Sequence, residues 1–483
     1  MEERAVRQPS VLWSLMPVAV LVSLLFFTIR TFGSNALGGG SQIVLLASTA
    51  VCILVARFHC RVKWQAIEEA IAGNITGVST ALLILLLIGA LSGSWMVSGV
   101  VPTLIYYGMQ LIHPSVYLAS TCVICAIVSM ITGSSWTTIA TIGIALLGIG
   151  QAQGYDSGWI AGAIVSGAYF GDKVSPLSDT TVLASSVTGT PIFTHIRYLM
   201  ITTVPSMAIS LVIFLVAGLL HDAPGTEQMT GYAASLKQTF HISPWLLVVP
   251  GITGILIAKR VPALATLFLA AVLAGVFALF FQPGILDTIG GSDAEGLTAR
   301  FKGLLIAFYG TTQIETGHAA LNELVATRGM GGMMDTIWLI LCAMSFGGAM
   351  AAGGMLGSII SVFLRFMRRT AGMVASTVVS GLFFNIATAD QYISIMLTGS
   401  MFKDIYRDRG YETRLLGRTI EDAVTVTSPL VPWNTCGMTQ STILGVSTFT
   451  YLPYCFFNLL SPLMSIFVAS LGYKIHRQLN SNP

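Results

Sequence analysis

Apolar stretches of roughly 16 to 22 residues recur along this chain, close to the length that an α-helix needs to cross a bilayer. Only 9% of its residues are charged and 54% are hydrophobic, whereas soluble domains carry about 25% charged residues. Strand-like alternation is absent, and backbone groups in lipid must bond within their own segment. The sequence therefore predicts an all-α integral membrane protein. Clear examples of such stretches are Val11–Thr28, Ala81–Val101, Leu199–Leu220 and Ala263–Phe281.

The chain also resembles itself at a nearly constant offset. Ile67–Ile71 (IEEAI) resembles Leu321–Val325 (LNELV) 254 positions later, and the SPL motif at Ser175 recurs 253 positions later at Ser428. A duplication explains both offsets better than chance does. We therefore predict two related halves. The first repeat occupies residues 1–220 and the second 243–483, with an external linker at 221–242.

Lysine and arginine in short loops indicate the cytoplasmic side of a membrane protein. Arg57, Arg61 and Lys63 follow the second apolar stretch, so that loop is predicted to be cytoplasmic. Residues 150–158 contain no lysine or arginine, whereas the corresponding residues 403–414 contain four. The same place is thus external in one half and internal in the other. This pattern predicts an inverted repeat, as in many secondary transporters, with both termini cytoplasmic.

Five spans per half, about ten in all, satisfy these constraints. Two further apolar segments, 117–150 and 372–402, must enter and leave on one side, so we expect re-entrant hairpins with polar tips. Proline interrupts the fourth span of each half and removes a helix hydrogen bond, which predicts broken helices at 158–188 and 413–445. The predicted spans are 11–31, 41–58, 77–98, 158–188, 198–220, 243–258, 262–282, 333–353, 413–445 and 451–473.

Three carboxylates and one lysine fall at these tips and breaks. Asp172 and Lys173 are adjacent, whereas Asp179 and Asp390 have no basic neighbour in the sequence. A charge near the bilayer centre costs several kcal/mol unless it is compensated. Asp172 and Lys173 could neutralise each other, or Lys173 could hold a substrate carboxylate. We predict that Asp179 and Asp390 bind a cation or a proton, and that sodium and protons compete for one such carboxylate.

Hydroxyl and amide side chains cluster at the same four places. Hard oxygen ligands suit sodium, by extension of the rule for hard cations, although single Ser and Thr residues equally often cap or join helices. Asp179, Asp390 and Asn434 are the predicted sodium ligands. The other candidates for ion or proton binding are Asp172, Ser134, Ser135, Thr137, Thr138, Ser175, Ser178, Thr180, Thr388, Thr427, Ser428 and Thr435.

The remaining features have simpler interpretations. Cys122 and Cys125 form a CxxC within an apolar stretch, which indicates packing rather than metal or redox chemistry. His195 lies near a predicted cytoplasmic end. No metal motif, nucleophile motif or phosphate loop is present, so we expect neither an enzyme nor a cofactor, and a net charge of +3 does not suggest nucleic acid. Small-xxx-small spacings, which favour close helix packing, occur at Gly167 with Gly171 and at Gly353 with Gly357.

Three motifs resemble the NhaC family of bacterial Na⁺/H⁺ antiporters. They are Gly133–Trp136 (GSSW), Ser166–Thr181 (SGAYFGDKVSPLSDTT) and Ser428–Gly437 (SPLVPWNTCG), within a resemblance that extends from about residue 65 onward. It implies exchange of sodium for protons by alternating access across the bacterial inner membrane, on a fold that is compatible with a homodimer. The family also contains sodium-coupled malate/lactate antiporters and amino-acid exchangers. Coupled exchange of a small organic anion or amino acid therefore remains the alternative.

Overall fold

The computed structural model describes residues 8–32, 39–221, 226–259, 261–291, 296–317, 321–322, 325–363 and 370–475. Regular secondary structure in these residues is helical, apart from one isolated antiparallel bridge between Thr312 and Thr327. Nine helices in the described ranges are long and apolar enough to cross a membrane, or eleven if each bent pair is one span. The prediction of an all-α membrane protein is confirmed.

The first half contains the predicted spans, a hairpin and a broken helix. Hairpin 1 consists of arms Tyr117–Thr132 and Ser135–Ala152, and broken helix 1 consists of segments Ser157–Val174 and Asp179–Thr188. Both interruptions lie where the sequence predicts them. The other helices of this half are Val11–Phe32, Gly40–His59, Trp64–Gly77, Ser79–Val97, Val100–Leu111 and Ile192–Leu219.

The second half has the same order of elements. Hairpin 2 consists of arms Thr370–Ala387 and Gln391–Asp408. Broken helix 2 begins with Thr413–Ile420, continues as a π-helical turn Glu421–Thr425, and resumes at Thr435–Leu444. The other helices after residue 225 are Thr226–Thr239, Pro244–Ala258, Ala263–Phe281, Pro283–Gly290, Gly296–Tyr309, Met330–Ala352, Met355–Phe363, Thr448–Tyr454 and Phe456–Ser470.

Two of the predicted spans begin at sharp bends. The helix Pro244–Ala258 is bent by 87° from Gly231–Thr239, and Phe456–Ser470 is bent by 56° from Thr448–Tyr454. Three hairpin arms also pass the length and composition test for a span. Hydropathy alone therefore does not distinguish a re-entrant hairpin from two membrane crossings. The polar residues at the tips are the sequence feature that indicates a hairpin.

Glycine allows hairpin 1 to approach broken helix 1 closely. A Cβ atom at Gly167 would lie 2.1 Å from the carbonyl oxygen of Cys122, and one at Gly171 would lie 2.2 Å from that of Ala126. The close packing predicted for this pair is confirmed. The same prediction is wrong for Gly357, because a Cβ atom there would lie within 4 Å of no described neighbouring atom.

Candidate functional site

Both hairpin tips and both helix breaks meet around one cavity of about 600 Å³, which we call the central cavity. Asp172, Asp179 and Asp390 all line it. The rest of its wall comes from the start of the helix Ser79–Val97 and from the junction between Pro244–Ala258 and Ala263–Phe281. Carboxylates from broken helix 1 and from hairpin 2 thus line one cavity.

The tip of hairpin 1 presents two hydrogen-bond donors to Asp172. Gly133 adopts a left-handed conformation with φ of 67°, and Ser134 then caps the second arm by accepting a bond from Thr137 N. This turn aims Ser135 at the break. Its backbone N–H and its hydroxyl donate to Asp172 Oδ2 over 3.2 and 2.7 Å. Asp172 is only 5% exposed, so these bonds offset part of the cost of burying its charge.

Hairpin 2 carries its own carboxylate at the tip. Ala389 adopts the left-handed conformation there, with φ of 58°, and Asp390 caps the second arm. Asp390 Oδ1 accepts a bond from Ile393 N over 2.9 Å, and Oδ2 accepts one from the Thr435 hydroxyl over 3.0 Å. A second bond, from Thr435 N to the Ala389 oxygen over 2.8 Å, joins the tip to broken helix 2. The helix N-terminus favours a negative charge at this place.

Asp179 begins the second segment of broken helix 1 and is exposed to the cavity. It lies on the first turn of that segment, at a helix N-terminus. The carboxylate is thus the most accessible of the three to an ion from the cavity.

The other predicted ligands divide into two groups. Five further side chains line the central cavity: Ser134, Ser135, Thr137, Thr180 and Thr435. The remaining predicted residues are not among the described residues that line it: Thr138, Lys173, Ser175, Ser178, Thr388, Thr427, Ser428 and Asn434.

Residues of this second group hold the breaks in shape. The Ser175 hydroxyl donates to the Met130 oxygen over 2.8 Å, and Ser178 caps Asp179–Thr188. Asn434 was a predicted sodium ligand, but its oxygen accepts from Cys436 N over 3.1 Å and its amide donates to the Asn385 oxygen over 3.1 Å. Thr388 and Thr427 donate to main-chain oxygens one turn back in their own helices.

Lys173 turns away from Asp172, although the two are adjacent in the sequence. Its ammonium contacts Asp422 Oδ1 on broken helix 2, and it donates to the Ser461 hydroxyl over 3.1 Å. The two residues therefore do not neutralise each other directly. Because Lys173 is fully buried outside the cavity wall, it does not present its charge to a substrate there.

Sequence reasoning missed several polar residues near the breaks. Gln391 lines the central cavity, and its side-chain oxygen accepts bonds from Ser428 over 2.6 Å and from Cys436 over 3.0 Å. Arg418, Glu421 and Asp422 are fully buried within a predicted span. Three charged residues inside a predicted span were a visible signal in the sequence.

A second cavity of about 1390 Å³ lies beyond the central one. Ile84 lines the central cavity, and Ile88, one turn later on the same helix, lines the second. Thr435 and Met438 are divided in the same way. Four helical residues rise by about 6 Å. The wall between the two cavities, which we call the septum, is therefore about one helical turn thick.

Comparison with known proteins assigns the family. A model of the Na⁺/H⁺ antiporter family matches residues 167–473. The chain is 36% identical over 431 residues to the Na⁺/H⁺ antiporter NhaC of Alkalihalophilus pseudofirmus, covering 89% of this chain and 90% of that protein. It is 34% identical to the malate-2H⁺/Na⁺-lactate antiporter of Bacillus subtilis, covering 89% of each. It is 32% identical to the arginine/ornithine antiporter ArcD of Halobacterium salinarum, covering 97% of this chain and 94% of that protein. This membrane protein, with its paired hairpins and broken helices, belongs to the Na⁺/H⁺ antiporter family.

Proposed function

We propose that this protein exchanges sodium for protons across the bacterial inner membrane by alternating access. One observation carries the proposal: Asp172, Asp179 and Asp390 line a single cavity formed by both hairpin tips and both helix breaks. Carboxylates at membrane depth are costly and mark ion pathways. The NhaC relatives support sodium and protons as the exchanged ions.

Sodium would bind to the carboxylates on the cavity wall. The hydroxyls of Ser135 and Thr435, which now donate to Asp172 and Asp390, keep their own oxygen lone pairs available to a cation. Thr137 and Thr180 add further oxygens on the same wall. Such a set of hard, partly anionic oxygens matches the ligand preference of a hard cation.

The two cavities support alternating access. They lie at opposite ends of the helix Ser79–Val97, and only the septum separates them. We propose that residues 1–220 and 243–483 form an inverted repeat, that both termini are cytoplasmic, and that the central cavity opens to the cytoplasm. The hairpins and broken helices would then move against the other helices to expose the carboxylates on the opposite side.

The alternative is coupled exchange of a small organic anion or amino acid. A cavity of about 600 Å³ falls within the usual range for small-molecule sites and exceeds what a bare cation needs. Relatives named as malate/lactate and arginine/ornithine antiporters support this alternative.

Proteoliposomes with a pH-sensitive dye inside distinguish the two functions. We expect an imposed sodium gradient to move protons with no organic solute present. Lithium and potassium gradients, run in parallel, define cation selectivity. If proton movement requires added malate, lactate, arginine or ornithine, the organic exchanger is correct and simple Na⁺/H⁺ exchange is not.

A further inference from the structure

A group of charged side chains is buried behind the central cavity. Lys173, Arg418, Glu421 and Asp422 are each 0% exposed, and Asp172 on the cavity wall is 5% exposed. We call these five residues the buried charge cluster. They come from the two broken helices, so the cluster joins the two halves of the chain.

Asp422 engages both basic residues of the cluster. Its Oδ1 contacts the Lys173 ammonium and accepts bonds from Thr202 over 3.0 Å and Ser461 over 2.9 Å. Its Oδ2 lies 3.9 Å from Arg418 Nε. Asp422 is therefore the carboxylate that pairs with both bases, and its contacts with two cations and two hydroxyl donors compensate its burial.

Glu421 is in a different situation. It begins the π-helical turn Glu421–Thr425, and neither of its carboxyl oxygens has a hydrogen-bond partner among the described residues. An ionised carboxylate that is buried without hydrogen bonds costs several kcal/mol, whereas the protonated group costs much less. Glu421 is thus a buried acid that the ion-pair network leaves over.

Charged and titratable groups approach Glu421 from several sides. Asp172 and Lys173 act on it from broken helix 1, and Asp422 acts from its own helix, on which Arg418 lies one turn earlier. His195 contacts Gly417 one turn earlier, and Tyr198 lies under Arg418, both on Ile192–Leu219. Hairpin 2 contributes Tyr406 near Arg418. No titratable residue lies on the first arm of hairpin 2 or on the helix Phe456–Ser470. The segment Asp179–Thr188 has one, Asp179, and it faces the cavity.

The balance of charge defines what the cluster can hold. Two bases face three acids, so one negative charge is in excess when every group is ionised. One monovalent cation restores neutrality. That cation is either a proton on a carboxyl group or a sodium ion at Asp172, on the cavity side.

We propose that Glu421 carries the proton that is exchanged for sodium, at a site separate from the sodium-binding carboxylates. The proposal rests on the proposed Na⁺/H⁺ exchange. With no sodium at Asp172, Glu421 is protonated and the cluster is neutral. Sodium at Asp172 adds one positive charge, Glu421 releases its proton to water as a carboxylate, and the cluster is neutral again. The two ions are thereby coupled through charge rather than by sharing one ligand.

Glu421→Gln tests this proposal, because the amide keeps the size of the side chain and cannot release a proton. The purified variant is assayed in proteoliposomes for exchange of labelled sodium against unlabelled sodium, and for sodium-driven proton movement. We expect proton movement to be lost and sodium exchange to persist only at higher sodium concentrations, because bound sodium then leaves one positive charge in the cluster uncompensated. Wild-type proton movement in the variant overturns the proposal. Sodium exchange with an unchanged dependence on sodium concentration also overturns it.

Asp404→Asn is the matched control, because it removes an acid that is 69% exposed on hairpin 2. It is expected to retain both activities. If Glu421→Gln does not fold, Glu421→Asp replaces it. That variant keeps a carboxyl in an altered position, so we expect proton coupling with a shifted pH profile, and an unshifted profile overturns the proposal. Wild-type protein that moves sodium but no protons would instead overturn the proposed Na⁺/H⁺ exchange itself.

Discussion

The tips of the two hairpins share a backbone and differ in chemistry. Thr132–Ser134 and Thr388–Asp390 each begin with a threonine whose hydroxyl oxygen lies 3.2 Å from the main-chain oxygen two residues later. The middle residue is left-handed and the third caps the next arm. The capping residue, however, is a serine in one tip and an aspartate in the other.

The carboxylate and its hydroxyl donor change places between the halves. In the first half the acid is Asp172 on the broken helix, and the donor is Ser135 on the hairpin. In the second half the acid is Asp390 on the hairpin, and the donor is Thr435 on the broken helix. In each half, the hairpin and the broken helix together supply one carboxylate and one hydroxyl donor. Either of the two elements can provide the carboxylate.

Removing a carboxylate is expected to have the largest effect. Asp172→Asn, Asp179→Asn and Asp390→Asn should each fold and lose coupled transport, because each removes an anionic ligand. We expect sodium affinity to fall by roughly 10- to 100-fold, which corresponds to about 1.4 to 2.8 kcal/mol. Uptake of labelled sodium as a function of its concentration measures this. Wild-type exchange by both Asp179→Asn and Asp390→Asn would refute the assignment, and a large difference between Asp172→Asn and Asp390→Asn would show that the halves are not equivalent.

Filling the close contacts between hairpin and broken helix should have the next largest effect, and it should differ between halves. A Cβ at Gly171 would meet a main-chain oxygen, whereas one at Gly381 would meet the movable Val424 side chain at 2.7 Å. Overpacking costs about 1 to 3 kcal/mol, and we place Gly171→Ala at the upper end and Gly381→Ala at the lower.

Thermal melting in detergent measures these differences in stability. Gly357→Ala is the control, because a Cβ there meets no described atom within 4 Å. Equal melting temperatures for Gly171→Ala and Gly381→Ala would show that the contact of hairpin 1 with its broken helix accommodates a Cβ atom as easily as that of hairpin 2.

Removing the hydroxyl donors should have the smallest effect. Thr435→Ala removes the donor to Asp390 Oδ2, whereas Ser135→Ala leaves Asp172 its bond from the Ser135 backbone. One such bond contributes about 1 kcal/mol, or roughly a fivefold change in sodium affinity. We expect Thr435→Ala to reach this value and Ser135→Ala to fall below it, with the exposed Ser400→Ala unchanged. The reverse order would mean that the Ser135 hydroxyl contributes more to sodium binding than the Thr435 hydroxyl does.

The sequence predicts the hairpins and breaks because their signals are local. Polar tips interrupt apolar arms, and prolines such as Pro176 and Pro429 interrupt spans. These signals sufficed to identify three carboxylates that line one cavity. They did not decide which polar side chains face that cavity, because Ser178 and Asn434 are used as helix caps, a role that the same residue types perform throughout proteins.

Sequence reasoning did not identify ion pairs between residues of different halves. Lys173 pairs with Asp422, 249 residues away, rather than with its neighbour Asp172. Successive residues on a helix point about 100° apart, so adjacency in sequence argues against contact rather than for it. Glu421 and Asp422 lie within the predicted span 413–445, and only tertiary packing shows that they are buried inside the protein beside the other charges.

The thin septum between the cavities has an electrical consequence. Cavities of this size with polar walls admit water, and water conducts ions far better than packed protein does. With the central cavity open to the cytoplasm and the second cavity open to the other side, as proposed above, most of the membrane voltage falls across a single helical turn near Ile84 and Ile88. An elementary charge gains about 2.3 kcal/mol for each 100 mV that it crosses. A sodium ion that crosses the septum therefore gains or loses most of this electrical energy over a distance of about one helical turn.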